Sequence, residues 1–383
     1  MASRLRGPAC AAICSLYLWG LHAASLRALT LGGLGGWPPR RRSVLPQRAR
    51  GSGRPAVILV GGENLIDFIE TSGEAGDRRP CFRANPGGSP YNAAKALGRQ
   101  LEGADGIEVG YLTPISRDAL GDLLAEGLSS AGVSLLAARC SAPTSLAVVS
   151  LRGGIPSYEF YRENTAERKV TAEMLFAATP SNAVALFLGS LALTGGVDAD
   201  VWAEYFCVQK RAGLFTMLDP NIRAAFITDR ASFMARLRGV LRHTDLLKLS
   251  DEDLEWLLPG RPDPQGAAGE LLRMSGAALV VVTLGAGGAF ALTRSGDSEV
   301  TVQASAVRSL QDTVGAGDTF GATLLRSLAV AGRLDRESLA GLSPTEVEAL
   351  LESAACAAAL NCEREGCDPP RRAEVEAALA GSK

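Results

Sequence analysis

The string Asp312-Thr313-Val314-Gly315-Ala316-Gly317-Asp318-Thr319-Phe320 carries the most specific chemistry in the chain. Two glycines flank Ala316, Asp318 follows at once, and Phe320, Leu324, Leu325 and Leu328 then recur at helical spacing. This spacing predicts a bare turn at a helix N-terminus. The first N–H groups of a helix lack intrahelical acceptors, and the peptide dipoles leave partial positive charge there. Glycines let an anion approach those groups closely. Asp318 stands at the same place and can accept a proton. An anion hole beside a carboxylate base is what phosphoryl transfer to a hydroxyl requires. Taken alone, Gly-x-Gly-Asp also fits a plain capped helix after a glycine turn.

Six further strings carry polar groups that could do chemistry. Gly61-Gly62-Glu63-Asn64-Leu65-Ile66-Asp67 follows the apolar Ala56–Val60, so Asp67 can take hydrogen bonds from two hydroxyls or simply close a turn. In Pro86-Gly87-Gly88-Ser89-Pro90-Tyr91-Asn92, Gly87 and Gly88 permit close approach to backbone, and Asn92 offers a donor and an acceptor. Phe160-Tyr161-Arg162-Glu163 carries an arginine able to meet a hydroxyl, a phosphate or a carboxylate. Asp219, Asn221 and Arg223 follow one run, and Lys248, Ser250 and Asp253 follow the next. Thr283, Gly285 and Gly288 end another, either as a phosphate-contacting loop or as a hairpin turn.

Residues 56 to about 370 resemble the ribokinase-like (PfkB) carbohydrate kinases, with Pro86–Ala94 and Asp312–Phe320 matching the family's two signatures. The resemblance implies an α/β fold, a three-layer α/β/α core with a mostly parallel sheet and a small β lid. It implies that Asp318 is the catalytic base and that Gly315, Ala316 and Gly317 stabilise the transferring phosphoryl group. Asp67, Gly87, Gly88, Asn92 and Arg162 would bind the sugar. Lys248, Thr283, Gly285, Gly288 and Asn361 would border ATP. Asp219, Asn221, Arg223, Ser250 and Asp253 would lie in the phosphate and magnesium region, without a direct protein–metal ligand set. Many members have Asn-x-x-Glu where this chain has Ser250 and Asp253, which leaves the magnesium contact open; Glu252 is a neighbour that could substitute. ATP and Mg2+ are the implied cofactors, with a monovalent cation as a further candidate. Ser-Pro-Tyr-Asn, Phe-Tyr-Arg and Asp-Pro-Asn-x-Arg resemble the fructokinase branch. Alternatives are 2-keto-3-deoxygluconate kinase, ribokinase, or a catalytically inactive structural partner in a plastid complex. On the fructokinase reading, Arg162 is expected to stay partly solvated or to pair with a neighbour such as Glu163.

The elements needed to position these groups follow from the pattern. Strands are expected at 56–60, 109–113, 184–188, 214–218 and 279–282, with helices between, including one from Ser89 as N-cap and one over 118–131. Such alternation indicates a parallel sheet covered on both faces. Leu65–Glu70 and Leu146–Tyr161 instead alternate apolar and polar residues, the latter around Gly153-Gly154. They read as lid elements at about 65–83 and 144–163, with a homodimer through the lid as an implied assembly.

The first 54 residues hold nine arginines and no Asp, Glu or Lys. This composition reads as an organelle-targeting leader, plastid before mitochondrion, with cytoplasmic residence if it is not cleaved. A disordered basic tail or a nucleic-acid-binding arm is the alternative. Residues 55–383 then form the kinase domain, with 30 basic against 41 acidic residues, a net charge near −11. That balance argues against nucleic acid as a partner. No run after residue 55 is long and apolar enough to span a bilayer. Eight cysteines form no Cys-x-x-Cys pair and only two histidines exist, which argues against a metal centre built from these residues. Cys362 and Cys367, five apart, could form a regulatory disulfide.

Overall fold

A computed structural model describes residues 54–71, 81–102, 106–152, 155–296 and 299–381. Of the leader only Arg54 is among them, and the Gly153-Gly154 turn lies outside. Strand β1 (Ala56–Gly61) leads to β2 (Leu65–Thr71), and β3 (Cys81–Gly87) to helix α1 (Ser89–Leu101). Next come β4 (Ile107–Tyr111), α2 (Ala119–Ser130), β5 (Val133–Leu135), β6 (Ser145–Arg152) and β7 (Ile155–Tyr161). After α3 (Ala172–Ala178), the chain alternates β8 (Ala183–Gly189), α4 (Val197–Arg211), β9 (Phe215–Asp219), α5 (Arg230–Leu241) and β10 (Leu246–Ser250). Helices α6 (Asp251–Leu257) and α7 (Pro264–Met274) precede β11 (Leu279–Thr283), β12 (Ala289–Thr293) and β13 (Glu299–Val302). The chain ends in α8 (Ala316–Val330), α9 (Arg336–Ala340), α10 (Pro344–Cys362) and α11 (Arg372–Gly381).

Nine strands form one sheet in the order β13-β12-β11-β10-β9-β8-β1-β4-β5. It is parallel from β11 to β5, with β12 and β13 antiparallel at one edge. The central strands β1, β8 and β11 are mostly apolar because both faces are covered. Ile58 and Val60 face a layer built from α1, α2, α8, α9 and α10. Val57 and Leu59 face the other layer, where Trp202, Tyr205 and Phe206 of α4 pack with Phe233 and Leu237 of α5. At about 1.5–3 kcal/mol for each fully buried large apolar side chain, these two faces are the main stabilising term. The α/β/α core of the sequence analysis is present.

A second sheet, in the order β3-β2-β6-β7, forms the lid. Strand β3 extends the first lid segment to Gly87, beyond the expected limit at 83. Its Arg83 and Pro86 mask it as a strand, and Pro is tolerated because β3 lies at the sheet edge. Asp118 pins the lid's base: it caps α2 through Gly121 N (2.7 Å) and also accepts from Thr144 N (2.8 Å) and Thr144 Oγ1 (2.6 Å), just ahead of β6. Helix α1 differs from expectation at its start. Gly88, with φ +104°, is the N-cap, so Ser89 is already helical.

Every element among the described residues starts after Pro55. A chain lacking residues 1–53 should therefore unfold cooperatively with a Tm within a few degrees of the full chain, as read by calorimetry. A broadened or absent transition would mean that the N-terminal segment supports the core.

Candidate active site

The parallel strands end at one edge of the main sheet, with Gly61 beside Leu188, Gly189 beside Asp219, and Ser250 beside Thr283. Ligands of open α/β sheets bind beyond such an edge. Helices α1 and α8 begin there side by side, and Asn92 Nδ2 of α1 donates to Asp318 Oδ2 of α8 at 2.8 Å. Farther along the pair, Gln100 Nε2 donates to Thr323 Oγ1 at 3.0 Å. The two helices thus run parallel and bring both positive ends to the same place.

Gly315 is the N-cap of α8, in the left-handed region at φ +75°. A Cβ at that position would overlap Cys367 Sγ, so the residue must be glycine on both counts. The loop before it is bolted to the end of α10. Asn361 is fully buried and donates from Nδ2 to Val314 O at 2.8 Å. Cys362 O accepts from Gln311 N at 2.9 Å, and Asp312 accepts from Val314 N and Gly366 N, both at 3.0 Å. The side chain of Asn361 therefore fixes the anion-binding turn from behind. Cys362 and Cys367 are free thiols, and burial raises the pKa of both.

Asp318 is 9% exposed in the first turn of α8. Beneath that turn lies a buried ion pair, Lys248 Nζ to Asp219 Oδ2 at 2.8 Å. A Cβ on Gly317 would stand 3.3 Å from Lys248 Nζ. Burial opposes the charge on Lys248, but Asp219, Asp253 and Asp318 outweigh it and raise the pKa above its ordinary value. Burial pushes Asp219 up to about 6 against the pull of Lys248. The result is a fixed cation under a ring of carboxylates, at the mouth of an anion hole.

The remaining expected residues divide in two. Asn221 (φ +38°) and the exposed Arg223 follow Asp219 on its loop. Thr283, Gly285 and Gly288 form the turn between β11 and β12, so the strand-end loop is also a hairpin. Ser250 and Asp253 form the capping box of α6, and Asp253 Oδ1 also accepts from Ile222 N at 2.5 Å. They hold the Asp219 loop. On the lid side, the Asp67 carboxylate lies against Gly87, where a Cβ would overlap it, and burial raises it to about 6.

Arg162 departs from the expectation. It is buried, and its Nε and Nη2 bind Glu167 Oε1 and Oε2 at 2.8 and 3.1 Å, not Glu163, which is exposed. A 3-10 turn over Ala166–Arg168 swings Glu167 inward, while Glu163 stays on the outside of the bend. The guanidinium also stands over Phe226, 5.8 Å from the ring centroid, and Phe226 meets Phe160 of the lid edge-on at 4.3 Å. Glu63, Glu167 and Phe226 were not singled out in the sequence. The spacing of Glu167, five residues after Arg162, was the one available signal.

Ser89 Oγ, Asn92 Oδ1 and Asp219 Oδ1 are buried here without a hydrogen-bond partner. Buried polar atoms are rarely left so, and their convergence on one edge marks a binding site. Replacing Gly315 by Ala should cost about 1–3 kcal/mol through its positive φ alone, read by urea unfolding. A loss below about 0.5 kcal/mol, within the scatter of ordinary surface changes, would mean that the turn is not locked.

Comparisons with known proteins agree with this geometry. The model of the pfkB family carbohydrate kinase matches residues 56–373. A fructokinase of Rhizobium leguminosarum bv. trifolii is 37% identical over 288 residues, covering 75% of this chain and 84% of that protein. Fructokinase-1 of Oryza sativa subsp. japonica is 30% identical over 332 residues, 85% of this chain and 97% of its own. Among solved structures, the fructokinase of Xylella fastidiosa with bound ATP superposes with a TM-score of 0.74 at 27% identity, covering 85% of this chain and 98% of that one. With the two signatures assembled at one sheet edge and the match spanning the whole described core, the chain belongs to the PfkB family and is a carbohydrate kinase.

Proposed function

We propose that this kinase transfers the γ-phosphate of ATP to the primary 6-hydroxyl of fructose. Asp318 accepts the hydroxyl proton as the oxygen attacks phosphorus in line. The new O–P bond forms as the bond to the β-phosphate oxygen breaks, and ADP leaves. The N–H group of Gly317 and the ammonium of Lys248 meet the charge that spreads over the phosphoryl oxygens, while the Ala316 N–H closes the turn on Thr313 O at 3.2 Å. Asp67, Gly87, Gly88 and Asn92 hold the sugar, while Thr283, Gly285 and Gly288 border the nucleotide. The ATP bound to the Xylella fructokinase supports the choice of nucleotide.

Mg2+ fits the residues present. Among the described residues no group of three or more His, Cys, Asp or Glu could hold a metal alone. Mg2+ keeps several waters and is commonly bound through one or two carboxylates plus substrate phosphates. Asp219 has the suitable acceptor, since Oδ2 serves Lys248 and Oδ1 is buried without a partner. When bound, the ion supplies charge neutralisation between the β- and γ-phosphates. Among the described residues no helix is long and apolar enough to cross a membrane. The arginine-rich first 54 residues support plastid targeting, and the lid supports a homodimer through its outer face.

One observation carries the choice of sugar. The Arg162 guanidinium is held by both oxygens of Glu167 inside the protein. A keto-deoxy acid needs a cation for its carboxylate, and here that cation is already neutralised. The relatives named fructokinase support the same choice. Fructose should therefore be phosphorylated with kcat/KM at least about tenfold above ribose, adenosine and 2-keto-3-deoxygluconate, a margin of about 1.4 kcal/mol. A keto-deoxy acid outperforming fructose in the same coupled assay would overturn this. Asp318→Asn should lower kcat by about 10²–10⁴ with the fold intact; retention of half the wild-type kcat would remove Asp318 as the base. Arg162→Ala should lower folding stability by about 3–5 kcal/mol, because Glu167 is left buried and unpaired, measured by urea unfolding. A change below 1 kcal/mol would show that the pair is solvated.

A further inference from the structure

We propose that the ionised carboxylate of Glu63 is the positioning residue that seats the sugar cradle against the lid arm. This rests on the sugar-binding reading of Gly87, Gly88 and Asn92 given above. Glu63 lies in the turn between β1 and β2 and is 2% exposed. Its Oε1 accepts from Ser89 N at 3.1 Å, at the start of α1. Its Oε2 accepts from Leu191 N at 3.0 Å, in the turn after β8. Its main-chain oxygen would lie 2.8 Å from a Cβ on Gly88 and accepts from Tyr111 Oη at 3.0 Å. One residue thus joins the first lid strand, the glycine cradle and the turn of Ser190, which is itself held at φ +53°.

The third contact is electrostatic. Arg162, at the exit from the lid, is the main opposing charge acting on Glu63, and Glu167 is the main like charge. Asp198 of α4 also acts on Arg162. Tyr111 of β4 is the remaining titratable group against Glu63, and burial raises its pKa far above the working range. Glu63, Arg162 and Glu167 together hold one cation and two carboxylates. Arg162 is bidentate on Glu167, so Glu63 is the carboxylate left without a bidentate partner.

Two backbone N–H groups aimed at the two oxygens need a carboxylate. A protonated acid turns one oxygen into a donor, and an amide does the same permanently. Burial raises Glu63 to about 7, with Arg162, its own N–H and the Ser190 hydroxyl opposing. As pH falls through 7 the anion is lost, the cradle loses one anchor and the sugar KM rises. Folding stability has its own sign. The native pKa lies above the ordinary glutamate value of 4.5, so the native chain keeps a proton that the unfolded chain releases between the two. The contribution of Glu63 to stability therefore falls as pH rises from 4.5 to 7 and is level above.

The test uses the full chain with fructose and ATP, and compares wild type, E63Q and E63D from pH 6 to 8.5. Asp67 also titrates beside the sugar, so the difference between variants is the readout. At pH 8, E63Q should raise the fructose KM about tenfold, as expected for losing a hydrogen bond to a charged group. The ATP KM should stay within about twofold. The wild-type fructose KM should rise several-fold toward pH 6, and that of E63Q should change less. E63D keeps the charge, and should keep the pH dependence and recover part of the loss. In urea, the stability of E63Q relative to wild type should increase between pH 4.5 and 7. A fructose KM for E63Q equal to wild type at pH 8, or an equal rise in both KM values, overturns the proposal. If no variant, wild type included, phosphorylates a neutral sugar, the fructose reading fails instead. Glu63 is then judged by the unfolding curves, where a difference independent of pH overturns its linkage.

Discussion

The site depends on the parallel contact between α1 and α8. Helix α1 follows the lid strand β3 and α8 follows the antiparallel edge strand β13, so neither is placed by a parallel crossover, and their mutual contact sets where they begin. Ala93 and Ala96 on one and Ala322 on the other are fully buried. Asn92–Asp318 and Gln100–Thr323 then fix the register of the pair. A shift along that contact by one turn, about 5.4 Å, would separate the Gly87-Gly88 turn from the Gly315–Gly317 turn. The catalytic geometry is thus a packing property of two helices remote in sequence.

The second constraint is charge. Burial opposes the charge on Lys248, and three carboxylates outweigh it and hold its pKa above the ordinary value. Asp219 touches it, Asp318 stands on the turn above, and Asp253 holds the loop that follows Asp219. The lid side repeats the pattern, one guanidinium serving two carboxylates. In both clusters the charged groups come from different elements, so the electrostatics report whether those elements are assembled.

Much of this was legible in the sequence because chemistry at a helix N-terminus leaves a local signature. Gly315 to Asp318 announce a bare turn, and the apolar runs ending at Gly61, Asp219 and Ser250 announce one sheet edge. The partners were not legible. That Arg162 turns to Glu167 depends on a 3-10 turn, and that Glu63 meets Leu191 depends on a crossover of 128 residues. Asn361 illustrates the same limit. Its position near the site follows from the family resemblance, but its task, holding Val314 from inside the fold, follows only from burial. Strand β3 was hidden by Pro86 and Arg83, residues that an edge strand tolerates and a central one does not.

The edges of the main sheet have a consequence of their own. Its outermost strands are also its shortest, β5 with three residues and β13 with four. A sheet that ends in such stubs offers little template for pairing with another chain, whatever the length of its central strands. The lid is built the other way, with β3 and β7 at its borders each seven residues long. Strand addition, whether by a second protomer or during misassembly at high concentration, is therefore directed to the lid and away from the sheet that carries the catalytic edge.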